Sequence, residues 1–131
     1  MNPESSRKPN ILLDKSLQFS LDIIAYTEKL ESLRKFAIAN QLLRSGTSIG
    51  ANIREAQHGE SPIDFVHKMK IAAKEAEETA YWLLLCSLSA SYPTCDELIS
   101  DVNELQRLLT KIIYSSKKTI ENQKNQQQKN N

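Results

Sequence analysis

Apolar positions recur along this chain at intervals of three and four, the pattern of helices that each bury one face. From Leu12 or Asp14 to Ser32 two such stripes run side by side, Phe19, Ile23, Tyr26, Leu30 and Leu33 in one and Leu13, Leu17, Leu21 and Ile24 in the other. A single bundle seam uses only one of them. The surplus points to a deeply buried helix or to a second contact surface for another subunit. After a short turn at Ser32 to Arg34, a second helix is predicted from Lys35 to His58. Its wide face combines Ile38, Leu42, Ser45, Ile49, Asn52 and Ala56 with Ala39, Leu43, Gly46, Gly50 and Ile53, so its middle is small and polar. Each glycine inside a helix costs about 1 kcal/mol relative to alanine. The pair therefore predicts close approach by another backbone, with the alanines of the third helix as the expected receiver. A buried Ser or Asn on this face requires a hydrogen-bond partner on a neighbouring helix.

Gly59 suits the position just past a helix end, where left-handed backbone is expected. Ser61-Pro62-Ile63-Asp64 then reads as a helix start: a capping hydroxyl, a proline at the first helical position and an acid near the positive helix end. The third helix should run to about Ser89 with Val66, Met69, Ala73, Ala76, Ala80 and Leu83 inward, leaving Trp82, Leu85 and Leu88 for an oligomer contact. Pro93 stops it. Thr94 followed by Asp96 and Glu97 predicts the cap of a fourth helix, whose heptad is Leu98, Val102, Leu105, Leu109, Ile112 and Ser116, widened by Leu108 and Ile113. Regular structure should fade near Asn122, because QKNQQQKNN holds no apolar residue. Four helices joined by short turns predict an all-α, antiparallel up-down-up-down four-helix bundle over residues 11–122, with a disordered arm over 1–10 and a disordered tail over 123–131.

At 131 residues the chain suits one domain with one core. No apolar run reaches the ~18 residues of a membrane span, and MNPESSRKPN lacks the apolar stretch of a signal peptide. A cytoplasmic protein with Cys86 and Cys95 as reduced thiols is expected. Net charge is only +1, but it is unevenly spread. From Arg107 onward Lys111, Lys117, Lys118, Lys124 and Lys129 face a single acid, Glu121, whereas Glu75 to Glu104 contains acids and no Lys or Arg. Such a basic end is either an anion-binding surface or a solvating tail.

The run Gln41-Leu42-Leu43-Arg44-Ser45-x-x-Ser48-Ile49-x-x-Asn52-Ile53-x-Glu55 resembles the signature of a bacterial four-helix-bundle family that takes in the 23S rRNA intervening-sequence proteins. Phe65 and the run from Lys70 to Leu83 resemble the third-helix pattern of one branch. The resemblance covers about Leu13 to Ile120. It departs at Ala56, where many relatives carry glycine, and at Glu75, where many carry serine. It implies an up-and-down bundle assembled into a ring, a homopentamer in known relatives, with no established catalytic activity. It also implies an association with RNA: relatives are encoded inside 23S rRNA genes, and more distant ones resemble accessory proteins of retroelements that work with a reverse transcriptase.

Three candidate sites follow. Arg44, Ser48, Asn52 and Glu55, with Glu75 and Glu78 opposite, form a polar set near the seam of helices two and three. It reads first as a buried network that fixes register, and alternatively as a ligand or partner pocket. Glu55 with His58 and Asp64 with His67 match the carboxylate-x-x-His spacing of di-iron bundles, but they flank the Gly59 to Ser61 turn at the bundle's end. No metal or cofactor is expected there. Arg54, Lys68, Lys70, Lys74, Lys111, Lys117 and Lys118, with Arg7 and Lys8, are candidate phosphate contacts. A few such contacts per subunit bind weakly, and repetition around a ring raises the avidity. No exposed aromatic platform for bases is predicted.

A Ser/His/Asp order, a phosphate-binding glycine loop and an activated cysteine are all missing, which argues against an enzyme. The expected partners are further copies of the chain and RNA or the ribosome, and no membrane. A scaffold that offers its apolar surplus to an unidentified protein is the alternative, and a di-metal enzyme the more distant one.

Overall fold

A computed structural model describes residues 10–130; the arm expected over residues 1–10, with Arg7 and Lys8, lies, but for Asn10, outside the described residues. Four helices follow one another: α1 (Ile11–Ser32), α2 (Phe36–Ala56), α3 (Pro62–Leu88) and α4 (Asp96–Lys129). α1 and α3 each pack on both α2 and α4, and the diagonal pairs make no close backbone approach. This is the expected four-helix bundle, with α1–α4 as its sparsest seam. Phe19, Ile23, Leu30, Leu42, Ile49, Ile53, Met69, Leu83, Leu105 and Leu109 fill the core. Large-to-small changes at such positions typically cost 2–5 kcal/mol.

The helix starts differ from expectation in their details. Asn10 caps α1 by accepting from the Leu13 N–H at 3.1 Å, so the helix begins at Ile11, one residue before the earlier of the two expected starts. Ser61 caps α3 as predicted, accepting from the Asp64 N–H at 3.1 Å. Thr94 does not cap α4. The cap position is Cys95, which makes no side-chain capping bond because its thiol turns inward to the Leu83 carbonyl at 3.5 Å. Asp96 and Glu97 do lie in the first turn, where they complement the helix dipole.

Left-handed backbone is found at Arg34 (φ 62°) and not at Gly59. The Arg34 N–H donates to Glu31 O at 2.9 Å and the Lys35 N–H to Leu30 O at 2.8 Å, so α1 ends in a Schellman motif with arginine in the usual glycine position. Gly59 serves by its size. A methyl group there would come within 3.3 Å of the Ala56 carbonyl oxygen and the Phe65 nitrogen.

The helical glycines face α1, not α3. A Cβ on Gly46 would meet Ile23 at 2.9 Å, and one on Gly50 would meet Ser20 Oγ at 3.2 Å and Ser16 O at 3.3 Å. The α3 alanines Ala72 and Ala76 are buried nonetheless, and Ala73 and Ala80 pack partly against the core. At the far end α4 continues to Lys129 rather than fading near Asn122, since Glu121 to Lys129 contains neither glycine nor proline to stop it. Every described residue from Glu121 onward is exposed.

Candidate nucleic-acid interface

Arg44 on α2 is paired across the seam with Glu78 and, at 3.4 Å, with Glu75 on α3. Ser48 donates to the Arg44 carbonyl at 2.6 Å and Asn52 to the Ser48 carbonyl at 2.9 Å, so both bond within α2. Glu55 pairs with Lys68 at 2.8 Å. The expected polar set thus divides into two groups of ion pairs and two helix-internal bonds along the α2–α3 surface. It is not one buried network, since the Arg44 side chain is half exposed. The register-fixing pair inside the bundle is Ser45 with Thr79, both fully buried and 2.9 Å apart. Thr79 also lies 2.7 Å from the Glu75 carbonyl oxygen. Ser45 is visible in the sequence as a polar residue on a buried stripe. Thr79 is not, because its neighbours Glu75 and Glu78 draw the pairing to the surface.

The candidate cations separate into groups. Arg54 borders a groove on the α1–α2 face with Leu17, Ser20, Gly50 and Ala51. Lys68 is neutralised by Glu55. Lys70, Lys74 and Lys117 come together where α3 meets α4. Lys70 is held below the ordinary lysine value, first by the close approach of the Lys117 side chain and the charge of that ammonium, then by slight desolvation and by Lys74. None of the three forms an ion pair among the described residues. Lys111 and Lys118 lie further round α4, beside the exposed ring of Tyr114, with Lys118 Nζ 5.6 Å from the ring centroid.

The acids gather on the other side of α4. Asp101 lies with Asp22, Asp96 and Glu97 around a polar hollow between α1 and α4, and Lys15 pairs with Glu104 at 2.9 Å nearby. Partial burial raises the Asp101 carboxyl above its ordinary value, and Asp22, Glu104 and Glu97 add to this while Lys15 opposes it. α4 thus presents acids toward α1 and bases toward and beyond α3.

Cys86 and Cys95 are buried beside Tyr26, whose hydroxyl donates to the Pro93 carbonyl at 2.8 Å. Burial raises both thiols and the phenol, the opposite of what activates a nucleophile. His58 and His67 are exposed. Among the described residues no three His, Cys, Asp or Glu side chains are grouped to hold a metal. No described helix is long and apolar enough to cross a membrane.

The apolar surplus is real, placed as expected on α1 and at Leu88, and displaced elsewhere on α3. Leu17, Leu21 and Ile24 are exposed on α1, as are Tyr81, Leu84 and Leu88 on α3. Trp82, expected with them, is half-buried against the core, edge-on to Tyr81 at 5.5 Å, and Leu85 is half-buried as well.

Residues 8–111 match the family of 23S rRNA-intervening sequence proteins. A crystal structure of a protein of unknown function from the S23 ribosomal protein family of Bacteroides thetaiotaomicron superimposes with a TM-score of 0.75 at 44% identity, over 79% of this chain and 98% of that one. No curated protein matches the chain. With the family's pattern reaching from the start of α1 into α4 and a solved relative sharing the bundle, the chain belongs to the 23S rRNA-intervening sequence protein family.

Proposed function

We propose that this protein is a non-catalytic, ring-forming bundle, a homopentamer, that binds RNA or a ribonucleoprotein through basic patches repeated around the ring. The observation that carries the RNA reading is the cluster of Lys70, Lys74 and Lys117 where α3 meets α4, cations left without acidic partners among the described residues. Such an arrangement is unfavourable alone and is relieved by a polyanion, which neutralises several charges at once and releases counterions. Ring formation is supported by the exposed apolar stripes of α1 and α3, which lie on diagonal helices of the bundle. A two-fold contact would cover one stripe and leave the other bare. Head-to-tail contact of α1 on α3 covers both and closes into a ring when the rotation permits. On this reading the protein is cytoplasmic, and its partners are its own copies and RNA.

An electrophoretic shift of a labelled RNA at rising salt tests the proposal. Wild type shifts the RNA at low salt and releases it as salt rises. Lys117→Ala weakens binding and makes the fall of log K with log salt shallower, by about 0.7 in slope for each single-strand phosphate that is no longer neutralised. Absence of any shift at low salt would sink the RNA reading. Binding should also weaken with rising pH from below the ordinary lysine range, because Lys70 loses its proton more readily than an ordinary lysine.

A further inference from the structure

Tyr114 is the aromatic side chain that sequence patterning passes over. It is 62% exposed on the outer face of α4, where it borders a shallow groove with Asn103, Gln106, Arg107, Thr110 and Lys111. Steps of three and four place these residues on one side of the helix. Lys118, one turn on, brings its ammonium to the ring at 5.6 Å. Lys117, next to it in sequence, belongs to the cluster with Lys70 and Lys74. A flat ring in water is therefore bracketed by Arg107, Lys111 and Lys118 and is continuous with the lysine cluster on α3. Two other tyrosines have structural work: Tyr26 bonds to Pro93, and Tyr92 lies under Lys35 at 4.5 Å. No packing task in the bundle accounts for Tyr114.

We propose that Tyr114 is a stacking platform for an unpaired base, and that the α4 groove takes a single-stranded segment of RNA. This rests on the RNA reading above and specifies its ligand. The flanking cations suit the phosphates. The ring suits the face of a base. An anionic lipid surface would use the same cations but offers no planar partner for the ring, and an acidic protein segment offers one only where an aromatic or arginine side chain stands among its carboxylates. The groove also lacks the aliphatic bulk that inserts into a bilayer, since it is lined by Asn, Gln, Arg, Thr and Lys beside the tyrosine. In duplex RNA the bases are stacked on one another, so their faces are closed to Tyr114. The family match ends at residue 111, so Tyr114, Lys117 and Lys118 lie beyond it.

Fluorescence anisotropy of a labelled single-stranded RNA, and of the duplex made from it, tests the platform with the full chain. Wild type should favour the single strand. Tyr114→Ala should weaken the single strand by about ten-fold while leaving the duplex nearly unchanged, and Tyr114→Phe, which keeps the ring, should bind as wild type. Its exposure makes either variant safe for the fold, and circular dichroism verifies this. Single-strand affinity unchanged in Tyr114→Ala, with Lys117→Ala still weakening both RNAs, overturns the platform and leaves the phosphate-binding patch standing. Failure of wild type to bind either RNA overturns both.

Discussion

Gly46 and Gly50 sit one turn apart on α2 and face the same helix, yet a methyl group at each meets a different obstacle. At Gly46 the obstacle is Cγ1 and Cγ2 of Ile23, both attached to a branched carbon inside the core, so neither can swing aside. At Gly50 the contacts are looser: the Ser20 hydroxyl at 3.2 Å can rotate, giving up its bond to the Ser16 carbonyl, and the Ser16 carbonyl oxygen at 3.3 Å needs only a few tenths of an ångström of relief. Alanine gains about 1 kcal/mol of helix propensity at either site. Overpacking costs about 1–3 kcal/mol where nothing can yield. Gly46→Ala is therefore expected to lower stability by up to about 2 kcal/mol, and Gly50→Ala to lower it by less. Urea unfolding of the two variants checks this, and equal effects would contradict the assigned packing. At this scale the sequence speaks clearly about need and poorly about direction. Two glycines on one helical face announce a close approach, but helical spacing does not say which neighbour approaches. The same limit explains Gly59 and Arg34. A turn is legible in both places, and the left-handed residue is the arginine.

α4 carries the most information at the scale of the element, because each of its sides has a different environment. Toward α1 its Asp101 is partly buried among acids, and its carboxyl is raised above the ordinary value. A folded-state value above the unfolded one means that the native state binds the proton more tightly. The associated stability is then fully present below the unfolded value near pH 3.9 and is lost as pH rises through the folded value. At neutral pH the ionised carboxylate destabilises the α1–α4 seam. Asp101→Asn should raise the melting temperature at pH 7. The gain should vanish in acid. Equal melting temperatures at pH 7 would rule out the repulsion. The core heptad of this helix is legible in the sequence: Leu98, Val102, Leu105 and Leu109 are all buried. Its far end is not, since a run without apolar residues reads as coil from its composition while lacking any residue that stops a helix already begun. Nor is the convergence of Lys117 on Lys70 and Lys74, because contact between α3 and α4 depends on register across a loop.

For the molecule as a whole, the fold is legible because four strong periodic segments and three short turns leave few topologies open. The interface is less so: an apolar surplus names α1 and α3, and the structure places its exposed members at Leu17, Leu21 and Ile24 on one and at Tyr81, Leu84 and Leu88 on the other. The proposed ring joins these stripes and multiplies the lysine cluster, so assembly and RNA binding stand or fall together. Leu21 is half exposed, and changing it to lysine costs the isolated bundle little, while placing a charge in the centre of the proposed contact. Native mass spectrometry of protein purified at low salt without nuclease addresses both halves of the account in one spectrum. Wild type should appear as a pentamer carrying extra mass that ribonuclease removes, and Leu21→Lys as a folded monomer without it. A wild-type monomer free of RNA would contradict the account.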